Sequence, residues 1–348
     1  MNPNKKKSNN SLEKLATLAD VAEQAQVSTA TVSRCLNSPE RVDPNTRERV
    51  FKAIDALSYT PNFGARAMAA RRTQTVGAVI PTIENSIFAR GIQAFQEELS
   101  NHGFTLLVAS SSYKPAREEE QIKNLIARGA EGLLLIGYDR NPVIYEFLRN
   151  RKIPVLVTWA FDPSESRPAI GFNNVEAMSN LTKKIIELGH RQIGFITASL
   201  QNNDRARNRF KGIQEAMKKA DLPEKNLQLV QTSYSIENGS KAFEKIMGGK
   251  QRPTVVIGGN DVLAVGALRK AIEMGFRIPD DVSVTGFDDI ELAQVVDPPL
   301  TTVHVPHRRM GTRAAQILVA LINGEKFENS EKLQTTIQFR GTLGQAPQ

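Results

Sequence analysis

After residue 73 the chain runs through one alternation twice: four short apolar, β-rich runs separated by stretches of helical periodicity, then four more. The first set is 76–81, 106–110, 133–137 and 155–159; the second is 193–197, 227–232, 255–259 and 283–287. Strands that alternate with helices build parallel sheets covered on both faces, so the pattern predicts an α/β core of two doubly wound parallel-sheet lobes. Ligands of such sheets sit beyond the carboxyl ends of the strands, and two facing lobes merge those ends into one cleft. With 348 residues, 40% of them hydrophobic, the chain can bury more than one core.

Residues 17–57 follow a different rule, that of three short helices. Thr17 can cap the first, with Asp20 in its opening turn and Leu18, Val21, Ala22 and Ala25 on one face. Residues 24–27 break the pattern. Ser28 then caps 29–36, in which Val32, Cys35 and Leu36 point inward and Thr29, Ala30, Ser33 and Arg34 outward. Asp43 followed by Pro44 opens a third helix, whose Val50, Ile54 and Leu57 complete a small core. Short side chains on the outer face let the second helix enter a major groove until Arg34 reaches base edges. Thr17, Ser28, Thr31, Ser33 and Asn37 suit phosphate contacts, which set position without reading sequence. From spacing alone, a plain helical bundle is the competing reading.

Charge points to the same end. Residues 1–72 hold 12 Lys and Arg against 7 Asp and Glu, a net +5 out of the chain's +8. Clustered basic charge releases counterions on meeting phosphates. Residues 1–14, with Lys5, Lys6 and Lys7, read as a flexible, solvated basic tail.

The run Thr17-Leu-Ala-Asp-Val-Ala-Glu-Gln-Ala-Gln-Val-Ser-Thr-Ala-Thr-Val-Ser-Arg34, then Asn37, Thr46-Arg47 and Tyr59-Thr-Pro61-Asn62, resembles the headpiece of lactose-repressor-type (LacI/GalR) transcriptional regulators. Later landmarks continue the resemblance to the end of the chain: Gly189-His190-Arg191-Gln-Ile-Gly194, Asn260-Asp261, Ile278-Pro279 with Gly286-Phe-Asp288-Asp289, Pro299-Leu-Thr-Thr302 and Met310-Gly311. The resemblance implies a multidomain protein: a small all-α helix-turn-helix headpiece at 15–61, a hinge helix or linker at 62–73, and a periplasmic-binding-protein-like core at 74–348. Within that core one lobe is expected from about 74–172 plus 305–331, the other from about 173–304 plus 332–341.

It also implies a DNA-binding set of Thr17, Ser28, Thr29, Ala30, Thr31, Ser33, Arg34, Asn37, Arg41, Thr46, Tyr59, Asn62, Ala65 and Met68. Two positions depart from the family. Gln26 stands where glycine is usual, and holding a non-glycine residue at positive φ costs about 1 kcal/mol. Met68 replaces the usual leucine that wedges into the central base step. It is long and apolar enough to serve, or it is an ordinary linker residue.

In the core, Pro81, Trp159, Asn260 and Asp288 stand at strand ends, and Phe88, Arg205, Arg209 and Tyr234 on adjoining loops and helix starts. Arg209, Asn260 and Asp288 match family positions that hydrogen-bond effectors; Phe88 and Tyr234 match positions where rings wall the pocket. Trp159 replaces a frequent aspartate and either stacks on a sugar ring or simply packs. Tyr113-Lys-Pro115, Gly171-Phe-Asn173 and Asp204-Arg205 look closer to the gluconate-repressor branch. Two arginines near one cleft suit a carboxylate, hence a sugar acid as effector, with a neutral sugar next.

Other functions fit poorly. Gly248-Gly249-Lys250 lacks phosphate-loop spacing, Gly258-Gly259-Asn260 has no dinucleotide fingerprint, and adjacent Asp288 and Asp289 on a strand end point apart without a nucleophile. One cysteine and four scattered histidines give no metal set, so neither metal nor cofactor is expected. No run is apolar enough to span a membrane and no secretory signal opens the chain, so a cytoplasmic location is expected. The expectation is a sequence-specific regulator, homodimeric on a pseudo-palindromic double-stranded operator and controlled by a small molecule. The C-terminus carries no leucine heptad for a tetramer. The rival is a sugar receptor of the periplasmic-binding type with no DNA role.

Overall fold

The computed structural model describes residues 15–60, 64, 67, 72–84, 86–327 and 330–348. The chain divides into two compact units, Met1–Thr73 and Gln74–Gln348. The tail 1–14 and the sites assigned to Asn62, Ala65 and Met68 lie outside the described residues.

The first unit holds helices α1 (Leu18–Gln24), α2 (Thr29–Asn37) and α3 (Pro44–Ala56). Each start is fixed by its own cap. Thr17 Oγ1 accepts from Asp20 N at 3.3 Å while Thr17 N donates to Asp20 Oδ2 at 2.7 Å, a reciprocal capping box. Ser28 Oγ accepts from Thr31 N at 3.1 Å, and Asp43 Oδ1 from Asn45 N and Thr46 N ahead of Pro44. Between α1 and α2 Gln26 sits at φ 56°, in the left-handed region, and Val27 N closes the turn onto Ala22 O at 3.0 Å. Val21, Ala22, Ala25, Val32, Cys35, Val50 and Ala53 form the buried centre, with Ile54, Leu57 and Tyr59 packed against it.

The second unit is built on two six-stranded sheets. Strands β1 (Thr75–Ile80), β2 (Thr105–Ser110), β3 (Gly132–Ile136), β4 (Val155–Thr158), β5 (Ala169–Gly171) and β11 (Glu331–Lys332) run in the order β11-β5-β4-β3-β1-β2, all parallel. The other sheet orders β12-β10-β9-β8-β6-β7, from β6 (Ile193–Thr197), β7 (Leu227–Gln231), β8 (Val255–Gly258), β9 (Ser283–Asp288), β10 (Thr301–His304) and β12 (Thr336–Gln338). Here β12 pairs antiparallel with β10, an exception to the parallel pattern expected from sequence. The last strand was expected at 335–341, whereas strands β5, β10 and β11 were not. β5 and β11 span three and two residues, too short to show a period, and β10 reads Thr-Thr-Val-His, without an apolar run.

The central expected strands are largely apolar because they feed two layers, while the edge strands β2 and β7 stay partly exposed. Along β3, Leu134 and Ile136 join one core, which includes helices α4 (Ser86–Asn101) and α12 (His307–Ile322); Leu133 and Leu135 join another beneath α5 (Pro115–Ala127) and α6 (Pro142–Asn150). Likewise Val255 and Ile257 of β8 face the core shared with α7 (Asn174–Glu187) and α8 (Asp204–Lys219). Val256 faces α9 (Ile236–Met247) and α10 (Asp261–Glu273). A short helix α11 (Leu292–Val295) follows β9.

Candidate functional site

Two sites stand apart, one on each unit. In the first, the outward face of α2 is as the sequence suggests: Ser28, Thr29, Ala30, Arg34 and Asn37 are exposed, and Thr31 and Ser33 half-buried. Their groups are held in place locally. Ser28 Oγ lies 2.9 Å from Thr31 Oγ1, and Asn37 Nδ2 donates to Ser33 O at 2.9 Å. Thr17 and Arg41 are exposed; Thr46 sits in the first turn of α3, and Tyr59 leans on the head's core. Burial pushes the Cys35 thiol up in pKa, opposed by the charges of Arg47 on α3 and Arg34 on α2.

In the second unit Phe88, Trp159, Arg205, Arg209, Tyr234, Asn260 and Asp288 line one cavity, together with Ile87 and Tyr113. Of the eight residues expected there, Pro81 is the exception. It lines an adjoining space that shares Tyr113 and Arg205 with the first. The separation follows from β1 ending at Ile80, one residue before Pro81, whose carbonyl accepts from Ser110 Oγ at 3.3 Å.

Arg209 is the hub. Its Nε donates to Asn174 Oδ1 at 2.9 Å and its Nη1 to Gly259 O at 2.5 Å; Nη2 stands 3.5 Å from Asp288 Oδ1, and the guanidinium lies 3.7 Å above the Phe287 ring. Asp288, at φ 107° and fully buried, has its pKa pushed up to about 6 by burial, against the pull of Arg209 and Arg205. Beside it, burial drives Asp261 well above the usual carboxylate range, reinforced by Asp288; Ile290 N and Thr302 Oγ1 donate to it at 2.8 and 2.5 Å. Asp289 does point elsewhere, to His304 Nδ1 at 2.8 Å and Arg340 at 2.7 Å.

Among the described residues several buried polar atoms around this cavity lack a hydrogen bond: both carboxylate oxygens of Asp288, whose Oδ1 keeps only its 3.5 Å ion pair with Arg209, and Trp159 Nε1, Asn260 Nδ2 and His307 Nδ1. Buried polar groups are normally satisfied, so donors and acceptors left converging on one spot mark a place built for a polar ligand. The walls are aromatic, with Phe88 and Trp159 edge to face at 5.3 Å and Trp159 6.0 Å from the His307 ring.

The cavity is nearly closed, its free volume about 20 Å³. That is close to the room of a single water. The first turn of α8 draws the lobes together. Tyr138 N donates to Asp204 Oδ2 at 2.6 Å, Arg205 Nη1 to Ile136 O at 3.1 Å, and Arg207 Nη2 to Asp139 Oδ1 at 2.8 Å. This approach needs a glycine at 137 (φ 70°), since a Cβ there would lie 2.1 Å from Arg205 Nη1. Arg205 thus spends part of its guanidinium on Ile136 and Asp204.

Tyr113 lines the cavity, and Asn174 and His307 bond to Arg209 and Asp288 behind it; none of the three was among the eight residues expected there. Tyr113 had a signal, its place just beyond β2's carboxyl end; Asn174 and His307 arrive from helices α7 and α12, whose partners the sequence does not name.

The fold and these two sites define a class: a protein with a helix-turn-helix head and a two-lobed, ligand-binding core. Residues 17–62 match the model of "Bacterial regulatory proteins, lacI family", and residues 182–343 that of a "Periplasmic binding protein-like domain". The chain is 33% identical over 314 residues to the HTH-type transcriptional repressor PurR of Edwardsiella ictaluri (strain 93-146), covering 90% of this chain and 92% of that one. It is 31% identical over 322 residues to the repressor CytR of Escherichia coli (strain K12), covering 92% and 94%. A crystal structure of the lac repressor dimer bound to operator and the anti-inducer ONPF superposes with a TM-score of 0.84 at 26% identity, over 94% of this chain and 99% of that one.

The chain belongs to the lacI family and is a DNA-binding transcriptional repressor, not an enzyme. The rival reading, a sugar receptor with no DNA role, is set aside by this match. Among the described residues no helix is long and apolar enough to cross a membrane.

Proposed function

We infer that operator affinity is controlled by a sugar or sugar acid, such as gluconate, bound between the two lobes of the core. The carrying observation is the set of buried atoms without a hydrogen bond on Asp288, Trp159 and Asn260 around one aromatic-walled cavity. Alternating hydroxyls of a sugar donate to the carboxylate and accept from the indole and amide, and the rings cover its apolar face. Phe88, Trp159, Arg205, Arg209, Tyr234, Asn260 and Asp288 form the effector set, with Pro81 at its margin. A sugar acid would exchange its carboxylate for Asp204 or Asp288 on Arg205 and Arg209, and the two guanidiniums are what would select it.

The protein acts as a homodimer, two heads reading inverted half-sites. On each head Thr17, Ser28, Thr31, Ser33, Asn37, Arg41, Thr46 and Tyr59 position the phosphates, and Thr29, Ala30 and Arg34 meet base edges. Asn62, Ala65 and Met68, in the hinge 62–73, meet the minor groove. Effector binding shifts the lobes, changes the spacing of the paired hinges and so alters DNA affinity through a reciprocal coupling.

The test is selection of bound duplexes with and without gluconate and glucose, paired with calorimetric titration of both. An inverted-repeat site whose affinity either compound changes is expected. Heat from glucose alone ends the sugar-acid reading, and no heat from any sugar ends the sugar reading. Arg34→Ala should cost about 1–3 kcal/mol on the selected site and relax preference at one base pair.

A further inference from the structure

The end of the first sheet that lies away from the cleft carries charge that the effector site does not use. Helices α5 and α6 run back to the amino ends of the strands and turn into β3 and β4 through residues 128–131 and 151–154. β3 and β4 are neighbours, with Leu133 opposite Val155, and β1 lies on the other side of β3, with Val76 opposite Gly132. The two turns therefore sit side by side, about 5–10 Å from the start of β1. Arg128 follows α5, Arg149 is in the last turn of α6, and Arg151 and Lys152 follow it; all four are exposed.

Segments 128–131 and 146–152 set these four cations against two carboxylates, Glu131 and Glu146. Glu131 is engaged, its Oε1 accepting from Gln74 N at 2.9 Å. Among the described residues none of the four cations has an ion-pair partner, and Arg151 lies over the Phe147 ring, 5.2 Å from its centroid. Elsewhere in the same lobe Lys123, Arg140, Arg167, Arg308 and Arg313 each pair with a glutamate. A cation at a helix carboxyl end complements the helix dipole, which accounts for Arg128 and Arg149. That effect falls off past the last turn, where Arg151 and Lys152 stand. Cations without counter-charge keep their full attraction for a polyanion.

The same end is where the chain enters the core. Gln74 is held there by Glu131 and, through its carbonyl, by Thr105 N at 2.8 Å. Residues 61–73 join it to the head, and at no more than about 3.5 Å each they tether the head within roughly 50 Å of Gln74. A duplex bound by the head is thus kept at high local concentration around the patch. We propose that this end of the core is a second, sequence-independent DNA surface, on which Arg128, Arg149, Arg151 and Lys152 contact phosphates of the duplex flanking the operator. Such contacts add affinity and salt sensitivity but no base preference. The proposal rests on the binding of operator DNA and is independent of the effector's identity.

The full-length protein is titrated by fluorescence anisotropy against its selected operator with about 3 base pairs of flank on each side and with about 20, from about 50 to 200 mM KCl. Affinity should fall with salt more steeply on the long duplex, by about 2–4 in logarithmic slope. Arg128→Gln, Arg149→Gln, Arg151→Gln and Lys152→Gln together should remove that excess and weaken binding to the long duplex at least about fivefold at the lower salt, leaving the short duplex within about twofold. Each substitution alone should lower the slope on the long duplex by about 1, which decides the matter if urea unfolding shows the fourfold variant to be unfolded. Removing as many charges from the other lobe, by Lys183→Gln, Lys211→Gln, Lys218→Gln and Lys241→Gln, should leave both slopes unchanged. A parent slope that ignores flank length, an excess that survives the substitutions, or an equal loss from the other lobe's substitutions overturns the second surface.

Discussion

In the head, most described residues assigned to DNA lie on one nine-residue helix and its flanks and are exposed or half-buried; in the core, the cavity gathers side chains from Ile87 to Asp288, most of them buried. The head's frame is local. Caps at Thr17, Ser28 and Asp43 start its helices, and seven small or medium side chains fill its centre. The core's frame is long-range: Arg209 alone ties α8 to Asn174, Gly259 and Asp288. Function on the head therefore sits on top of stability, whereas in the cleft the same buried groups serve both.

That contrast can be broken by substitution. Arg209→Met should have the largest effect, because it strands a buried carboxylate and the Asn174 acceptor. A loss of about 3–5 kcal/mol in core stability is expected, with effector binding abolished, and Asp288→Asn added to it should restore part of the loss. Urea unfolding followed by the single tryptophan, Trp159, reads the core directly. A core that loses less than about 1 kcal/mol would mean that Arg209 is not a structural hub.

A smaller effect sharpens the comparison through pH. Asp288 has its pKa raised to about 6, so the folded state holds a proton that the unfolded chain releases, and its contribution to stability falls as pH rises from about 4 to 6. His307, with Nε2 3.1 Å from Asp288 O, is pushed down to about 4 by burial, so its contribution rises with pH from about 4 to 6.5. The two nearly cancel. Asp288→Asn removes one of them, so its stability relative to the parent should increase by about 2–3 kcal/mol between pH 4 and 7. A pH-independent difference would refute the linkage, and the head's melting should not follow it.

The smallest effect belongs to the head. Gln26→Gly relieves a side chain held at φ 56° and should stabilise the head by up to about 1 kcal/mol, read as a shift in its own thermal transition, with effector affinity unchanged. A destabilised head would mean that the Gln26 side chain earns its place by contact.

The strain at Gln26, φ 56°, was legible through the family resemblance, which puts glycine at this turn. The outward face of α2 was legible from the spacing of its inward residues. The two-sheet core was also legible, since strands covered on both faces must be apolar at every position, as Leu133 to Ile136 are. In the cleft the family resemblance supplied Arg209, Asn260 and Asp288, but not the partners that hold them.

What the sequence by itself determined, then, is what rests on contacts within a few residues or on two-sided burial: the capped helices of the head, the outward face of α2, and the eight largely apolar strands. Strands β5, β10 and β11, the crossing of α8 onto Gly137, and the meeting of Tyr113 with Tyr234 were decided only in the tertiary structure. Each depends on closing loops of tens to hundreds of residues. No local pattern encodes such a closure, because its free energy comes from surfaces that exist only once the sheets have formed.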